Sequence, residues 1–268
     1  MRNRRDSLGL IGGMAVALFA ASSRQAAQAQ TQTQARDKPI VLAMIRPETQ
    51  LLGRWQRLIY RDAFGRLGRE VVFTDYPAAR ASLELANGAV DGEGGRPLSY
   101  EASSPDIVRV RVPLFQVNYV AIARRNAHVT LAGWDSLADF KGIVAYKAGV
   151  YTTSTQLARV LKPAQLLALP DTERGLKMVA MGRCDLYVDE ELSILSTLAQ
   201  PELSQLPLAE AGVLGTPDVF CYLHRRHADL ALRLGDVIAQ MHKQGDVERY
   251  RKAVEKEFAV DRAKWVPD

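Results

Sequence analysis

The sequence predicts an α/β protein of two lobes, each a mostly parallel sheet flanked by helices. Two observations carry that prediction. A strand–helix–strand–helix–strand order occurs near residues 38–95 and again near 142–190. Removing an N-terminal leader leaves about 239 residues, room for two lobes of ~100–120 residues each.

The leader comes first. Arg2, Arg4 and Arg5 stand against one acid, Asp6; residues 8–22 are uncharged and largely apolar; Ala27-Gln28-Ala29 fits the small-residue cleavage rule. An apolar run of about 15 residues falls short of the ~20 that span a bilayer. Residues 1–29 therefore read as a cleavable signal peptide and 30–37 as a polar, flexible leader, with an uncleaved anchor as the alternative. No cysteine stands near the cleavage site to carry a lipid anchor. Arg4-Arg5 leaves Sec and twin-arginine export both open. The expectation is a periplasmic protein.

The whole chain has a formal net charge of +5, with 47% hydrophobic and 24% charged residues. The leader holds four arginines and one aspartate, so most of that charge leaves with it. What remains is too little to point to nucleic acid or a membrane surface. Two cysteines, Cys184 and Cys221, lie in apolar strand-like runs, and export leaves a disulfide between them and two buried thiols equally open. His224 and His227 near Cys221 are too few for a structural metal site, so neither metal nor cofactor is expected.

The elements follow in order. Residues 40–45 form a β-branched strand. Residues 51–67 place apolar side chains at helical spacing and stop at Gly68. A strand at 70–74, a helix from Pro77 to Ala86 ended by Asn87-Gly88, and a short strand opening at 90–92 complete the first unit. Strands are expected at 107–112 and 116–123. The second unit has a short helix at 134–140, strands at 143–146, 166–169 and 184–188, and helices at 154–161 and 172–181. A long apolar strand at 219–224 and helices at 228–244 and 247–258 end the chain.

Four segments carry a family likeness: LELANGAVDGEGGR (83–96), LADFKGIVAYKAGV (137–150), GRCDLYVDE (182–190) and LGDVIAQMHKQGDVERYRKAVEKEF (234–258). Their order and spacing resemble the periplasmic solute-binding proteins of the amino-acid ABC-transporter type (family 3), which have the class II two-lobed fold. The resemblance implies lobe 1 at 38–115 and 225–268, lobe 2 at 124–215, and two hinge strands at 116–123 and 216–224. It also implies a ligand held between the lobes at the strand ends, where open α/β sheets bind.

The strand ends supply the candidates. Arg46 and Glu48 follow the first strand, Tyr76 the second, and Glu93 and Arg96 the third. Tyr151, Thr152, Thr153 and Ser154 open a helix whose free N–H groups favour an anion. Asp189 and Glu190 stand where the family keeps an acid for a ligand ammonium. Arg96 can clamp a carboxylate; its replacement by Ala is expected to abolish affinity without changing the stability of the empty protein. The family's later arginine is missing from residues 101–104, EASS, which leaves open a ligand other than an amino acid.

The expected function is capture of a small polar solute, an amino acid or related carboxylate, by hinge closure in a monomer, for delivery to an ABC transporter permease. The alternatives are a periplasmic sensor input and an exported dehydratase-like enzyme with Glu48, Glu93 or Glu190 as its acid. No catalytic triad or phosphate loop is visible.

Overall fold

The computed structural model describes residues 38–261. The signal peptide, the 30–37 leader and residues 262–268 of the expected lobe 1 lie outside the described residues. The strands are β1 (Ile40–Met44), β2 (Val71–Asp75), β3 (Gly92–Pro97), β4 (Ile107–Arg109), β5 (Phe115–Gln116), β6 (Tyr119–Arg124), β7 (Val144–Lys147), β8 (Leu166–Leu169), β9 (Leu186–Glu190), β10 (Leu208–Gly215) and β11 (Asp218–His224). The helices are α1 (Leu51–Arg66), α2 (Ala78–Ala86), α3 (Tyr151–Val160), α4 (Thr172–Ala180), α5 (Glu191–Leu198), α6 (Ala228–Lys243) and α7 (Asp246–Glu257).

They build two sheets. The first has the order β2-β1-β3-β11-β4, with β5 also paired to β11. Its parallel core, β2-β1-β3, is extended by antiparallel β11. The second has the order β10-β6-β9-β7-β8, with a parallel core β9-β7-β8 and antiparallel β6 and β10. The fold is the expected two-lobed α/β architecture.

The helices form because their apolar stripes have somewhere to go. In α1, Leu51, Leu52, Trp55, Ile59, Tyr60, Ala63 and Phe64 are buried, and the helix seals the first sheet with α6 and α7. Asp171 caps α4 by accepting the Arg174 amide at 2.7 Å, a contact worth about 1 kcal/mol. Leu192 and Leu195 of α5 join the apolar cluster of α1, so the lobes also meet through a greasy seam.

The crossings between sheets are shorter than expected. Residues 119–123 lie within β6 of the second sheet and 218–224 form β11 of the first, so neither hinge segment is a free strand. The chain changes sheet at 117–118, between β5 and β6, and at 216–217, between β10 and β11. The two crossings are tied together: the Val117 amide donates to Pro217 O at 3.1 Å, and Thr216 Oγ1 donates to Asn118 Oδ1 at 3.0 Å. Of the two states left open for the cysteines, the structure shows the buried thiols. Cys184 and Cys221 are free and buried, each in the apolar cluster of a different sheet.

Asp91 stitches the first lobe. It accepts from the Val41 amide at 2.9 Å and lies 2.6 Å from both Arg226 Nη2 and His227 Nε2, linking β1, the start of β3 and the turn before α6. Burial opposes its charge, but His227, the Val41 amide and Arg226 override it and hold its carboxyl far below the usual range. A depressed folded pKa stabilises the fold above the unfolded value near 4 and loses that stabilisation as pH falls. Asp91→Asn should cost about 2 kcal/mol at pH 7. Chemical denaturation across pH should show the gap to wild type closing below about pH 4.

Candidate functional site

Between the lobes lies a cleft of about 780 Å³. Its walls are strand ends and the turns that follow them: Arg46 after β1, Gly95 and Arg96 in β3, Tyr100 in the 3-10 turn Leu98–Ser103, Tyr119 at the start of β6, Lys147 at the end of β7, Tyr151 and Thr152 opening α3, and Glu190 closing β9. The C-terminal ends of β1, β3, β7 and β9 thus converge, as ligand sites on open α/β sheets do.

One ion pair spans the cleft. Glu190 of the second sheet receives both Nη2 and, at 3.2 Å, Nε of Arg46 from the first sheet. Their side chains are 17% and 6% exposed. Burial works against the Arg46 charge, but Glu190 outweighs it and the guanidinium is held firmly ionised. The third nitrogen, Nη1, is buried without a partner. Gln56 of α1 is wholly buried, and neither its Nε2 nor its Oε1 has a partner. A polar atom in that state costs roughly 1–3 kcal/mol.

Arg96 is placed differently from the expected clamp. Its Nε donates to Glu93 at 2.6 Å, and its Nη2 donates to Ala78 O at 2.7 Å and Ser82 Oγ at 2.9 Å. Tyr100 OH donates to the other Glu93 oxygen at 2.8 Å, and the Arg96 guanidinium lies 4.8 Å from the Tyr100 ring centre. Arg96 borders the cleft, yet it mainly serves Glu93, which is fully buried beneath it. Burial lifts the Glu93 carboxyl above the usual range despite Arg96 and Tyr100.

The adjacent acids at the end of β9 part company. Asp189 turns inward, accepting from Thr172 Oγ1 at 2.8 Å, Tyr187 OH at 3.0 Å and the Glu190 amide at 2.8 Å. Its burial raises the pKa of its carboxyl. Glu190 turns into the cleft. Of the other expected residues, Tyr151 is 73% exposed at the rim and Thr152 lines the wall. Thr153 is buried, and Ser154 Oγ donates back to Tyr151 O at 3.0 Å. Glu48 lies away from the cleft, paired with Arg54 and Arg61 of α1. Tyr76 packs under Arg80, 5.1 Å from guanidinium carbon to ring centre.

The structure thus gathers Arg46, Arg96, Tyr151, Thr152 and Glu190 at the cleft, puts Glu93 behind it, and leaves Glu48, Tyr76, Thr153, Ser154 and Asp189 off its lining. Sequence reasoning counted Lys147 among the strand ends facing the cleft without giving it a role, and did not select Tyr100, Tyr119 or Gln56. Lys147 carried a signal, its place at a strand end. Gln56 carried none, because a lone glutamine on an amphipathic helix reads as surface. Burial, with the charge of Glu190, pushes the Tyr119 hydroxyl well above its ordinary range, so it serves as a neutral hydrogen-bonding group. Among the described residues no three of His, Cys, Asp and Glu come together as a metal site.

The fold is two α/β lobes with a cleft between their strand ends. The likeness to solved structures agrees. A histidine kinase sensor domain with similarity to periplasmic binding proteins superposes with a TM-score of 0.65 at 20% identity, covering 82% of this chain and 96% of that one. The GluR0 ligand-binding core, solved with L-glutamate, gives 0.66 at 9% identity over 81% and 97%. The amino acid ABC transporter substrate-binding protein AbpA of Streptococcus pneumoniae, solved with L-arginine, gives 0.62 at 12% over 83% and 96%. An uncharacterised protein of Shewanella oneidensis is 28% identical over 242 residues, 90% of this chain and 91% of its own. No family model matches.

The Arg96–Glu93 pair generates a test. Arg96→Ala leaves Glu93 buried without its cation, a change that costs roughly 3–5 kcal/mol. Thermal melts should therefore show a lower Tm for the empty variant, contrary to the expectation for a pure ligand clamp. Protonation relieves Glu93, so the deficit should be larger at pH 8 than at pH 5.

Proposed function

We propose that the chain is an exported solute-binding protein of the amino-acid transporter type. It closes its lobes on a small carboxylate and presents it to an ABC transporter. The observation that carries this reading is the charge of the cleft. Glu190, the single acid on its lining, is paired with Arg46, and Arg96 with the buried Glu93, which leaves the charge of Lys147 and the spare Nη1 donor of Arg46 facing the cleft from the two lobes. The first-turn N–H groups of α3 add to that preference, since helix N-termini favour anions and no acid occupies that turn. The two short crossings at 117–118 and 216–217 support closure by hinge bending. The arginine-like leader pattern of residues 1–29 supports export.

A second reading is a sensor input domain that reports the same ligand to a signalling partner. The likeness to a kinase sensor at 20% identity favours it. A dehydratase-like enzyme finds less support, because Glu93, a buried acid with a raised pKa, sits behind Arg96 and Tyr100 and is not on the cleft wall.

A thermal-shift screen of carboxylates, amino acids and polyamines tests the binding reading. A ligand at 100 times its Kd adds about 2.7 kcal/mol, or roughly 5–10 °C for a chain of this size. Carboxylates should shift the Tm and polyamines should not; a shift by polyamines alone refutes the reading. Lys147→Ala should weaken carboxylate binding about tenfold while the empty protein melts as wild type does, since a half-buried charge contact contributes on the order of 1.4 kcal/mol. A deletion strain separates the two roles: loss of solute uptake marks a transporter partner, and loss of a transcriptional response with uptake intact marks a sensor.

A further inference from the structure

We infer that a second cavity, behind the crossings, works in opposition to the cleft, so that bulk placed in it drives the lobes closed. This rests on the hinge-bending part of the reading above and adds a place from which closure is controlled.

The second cavity measures about 690 Å³. Val117 and Asn118 of one crossing and Thr216 of the other line it. Among the described residues none lines both spaces, and no crossing residue lines the cleft. Neighbours in sequence stand on opposite sides. Asn118 faces the cavity and Tyr119 the cleft; Glu191 faces the cavity and Glu190 the cleft. Successive side chains of an extended chain point opposite ways. Tyr119 pairs with Glu190 in the ladder of β6 and β9, so the two steps lie side by side. The crossings therefore separate the cavity from the cleft.

The partition is also a pivot. The Glu191 amide donates to Asn118 O at 2.8 Å, and Asn118 Nδ2 donates to Glu191 Oε2 at 3.1 Å. Thr216 Oγ1 donates to Asn118 Oδ1 at 3.0 Å. The start of α5 and both crossings thus form one bonded knot. Next to it, Leu192 of α5 is buried in the apolar cluster of α1.

The cavity walls belong to different lobes. Helix α5 supplies Glu191 and Leu192 from the second, and the corner of α6 and α7 supplies His242, Val247 and Glu248 from the first. The first wall is braced: Trp55 stacks on Phe115 with ring centres 4.1 Å apart, and its Nε1 donates to Val247 O at 2.9 Å. A rotation about the knot that brings the cleft walls together separates these walls. The narrow form of the cavity is then the open form of the cleft, and bulk that denies the first disfavours the second. For a ligand held only by closed lobes, the apparent Kd is the intrinsic one divided by the closed fraction. Residues that never meet the ligand thereby set its affinity.

Spin labels on the two lips of the cleft read the lobe spacing with no ligand present. Ala79→Cys and Tyr151→Cys carry them, since both positions are exposed and line the cleft, while Cys184 and Cys221 are buried. His242→Trp and Glu248→Trp add bulk at exposed cavity positions on two different helices, so misfolding of one leaves the other. In the ligand-free full chain, either should raise the ratio of short to long lip distances about tenfold. Lys252→Trp, exposed on α7 but outside the cavity lining, should leave the ratio unchanged. Asn118→Gly unties the knot and should broaden the distances. Broadening in Asn118→Gly with unchanged or longer distances in the two cavity variants overturns the inference alone, as does an equal shift in Lys252→Trp. No response to any variant overturns hinge bending with it. The carboxylate screen decides the binding reading separately, because no ligand enters this measurement.

Discussion

The ion pair between Arg46 and Glu190 sets the terms for the rest of the cleft. It joins the end of β1 in one sheet to the end of β9 in the other. Two charges taken out of water are costly, and their attraction roughly balances that cost only when the geometry is good. The pair is thus better understood as a positioning device than as a source of stability. It aligns two strand ends that share no sheet, and it removes one cation and one anion from free use. What the cleft offers a ligand is the remainder: one guanidinium nitrogen, one lysine and the dipole end of α3.

Most of the fold was legible in the pattern of apolar residues. The first parallel unit, β1-α1-β2-α2-β3, falls close to where helical spacing and β-branched runs put it, because each element buries one clear stripe or run. Two elements were not legible. Strand β10 carries Glu210, Gly212 and Gly215 and is broken by two register shifts, so its alternation is scrambled. Helix α5 follows β9 without a turn and reads as a continuation of it. The hinge was legible only as a neighbourhood. An apolar run shows that a segment is buried, not which sheet buries it.

The site was legible as positions and not as roles. Strand ends can be listed from sequence, and five of the listed side chains do line the cleft. The direction in which each turns depends on partners distant in the chain. Asp189 and Glu190 are adjacent and point oppositely because Thr172 and Tyr187 claim one and Arg46 the other. Arg96 looked free because the buried Glu93 and Tyr100 that occupy it are three and four residues away, a spacing as common on exposed surfaces. An orphaned amide such as that of Gln56 has no sequence signature at all, since its meaning lies in the absence of neighbours.

The irregularity that hid β10 has a consequence for how copies of the chain meet. β10 is an edge strand of its sheet, with β6 on one side and, on the other, only the short 131–133 segment, whose Leu131 and Gly133 amides donate to Ala211 O and Val213 O. A long, flat edge is a template on which another copy can add a strand. The bulges near Gly212 and Gly215 twist that edge and break its regular row of donors and acceptors. Newly made chains that have not finished folding meet their own kind with such edges exposed. An edge that spoils its own ladder keeps such encounters from growing into aggregates, at the small cost of a strand that is hard to recognise.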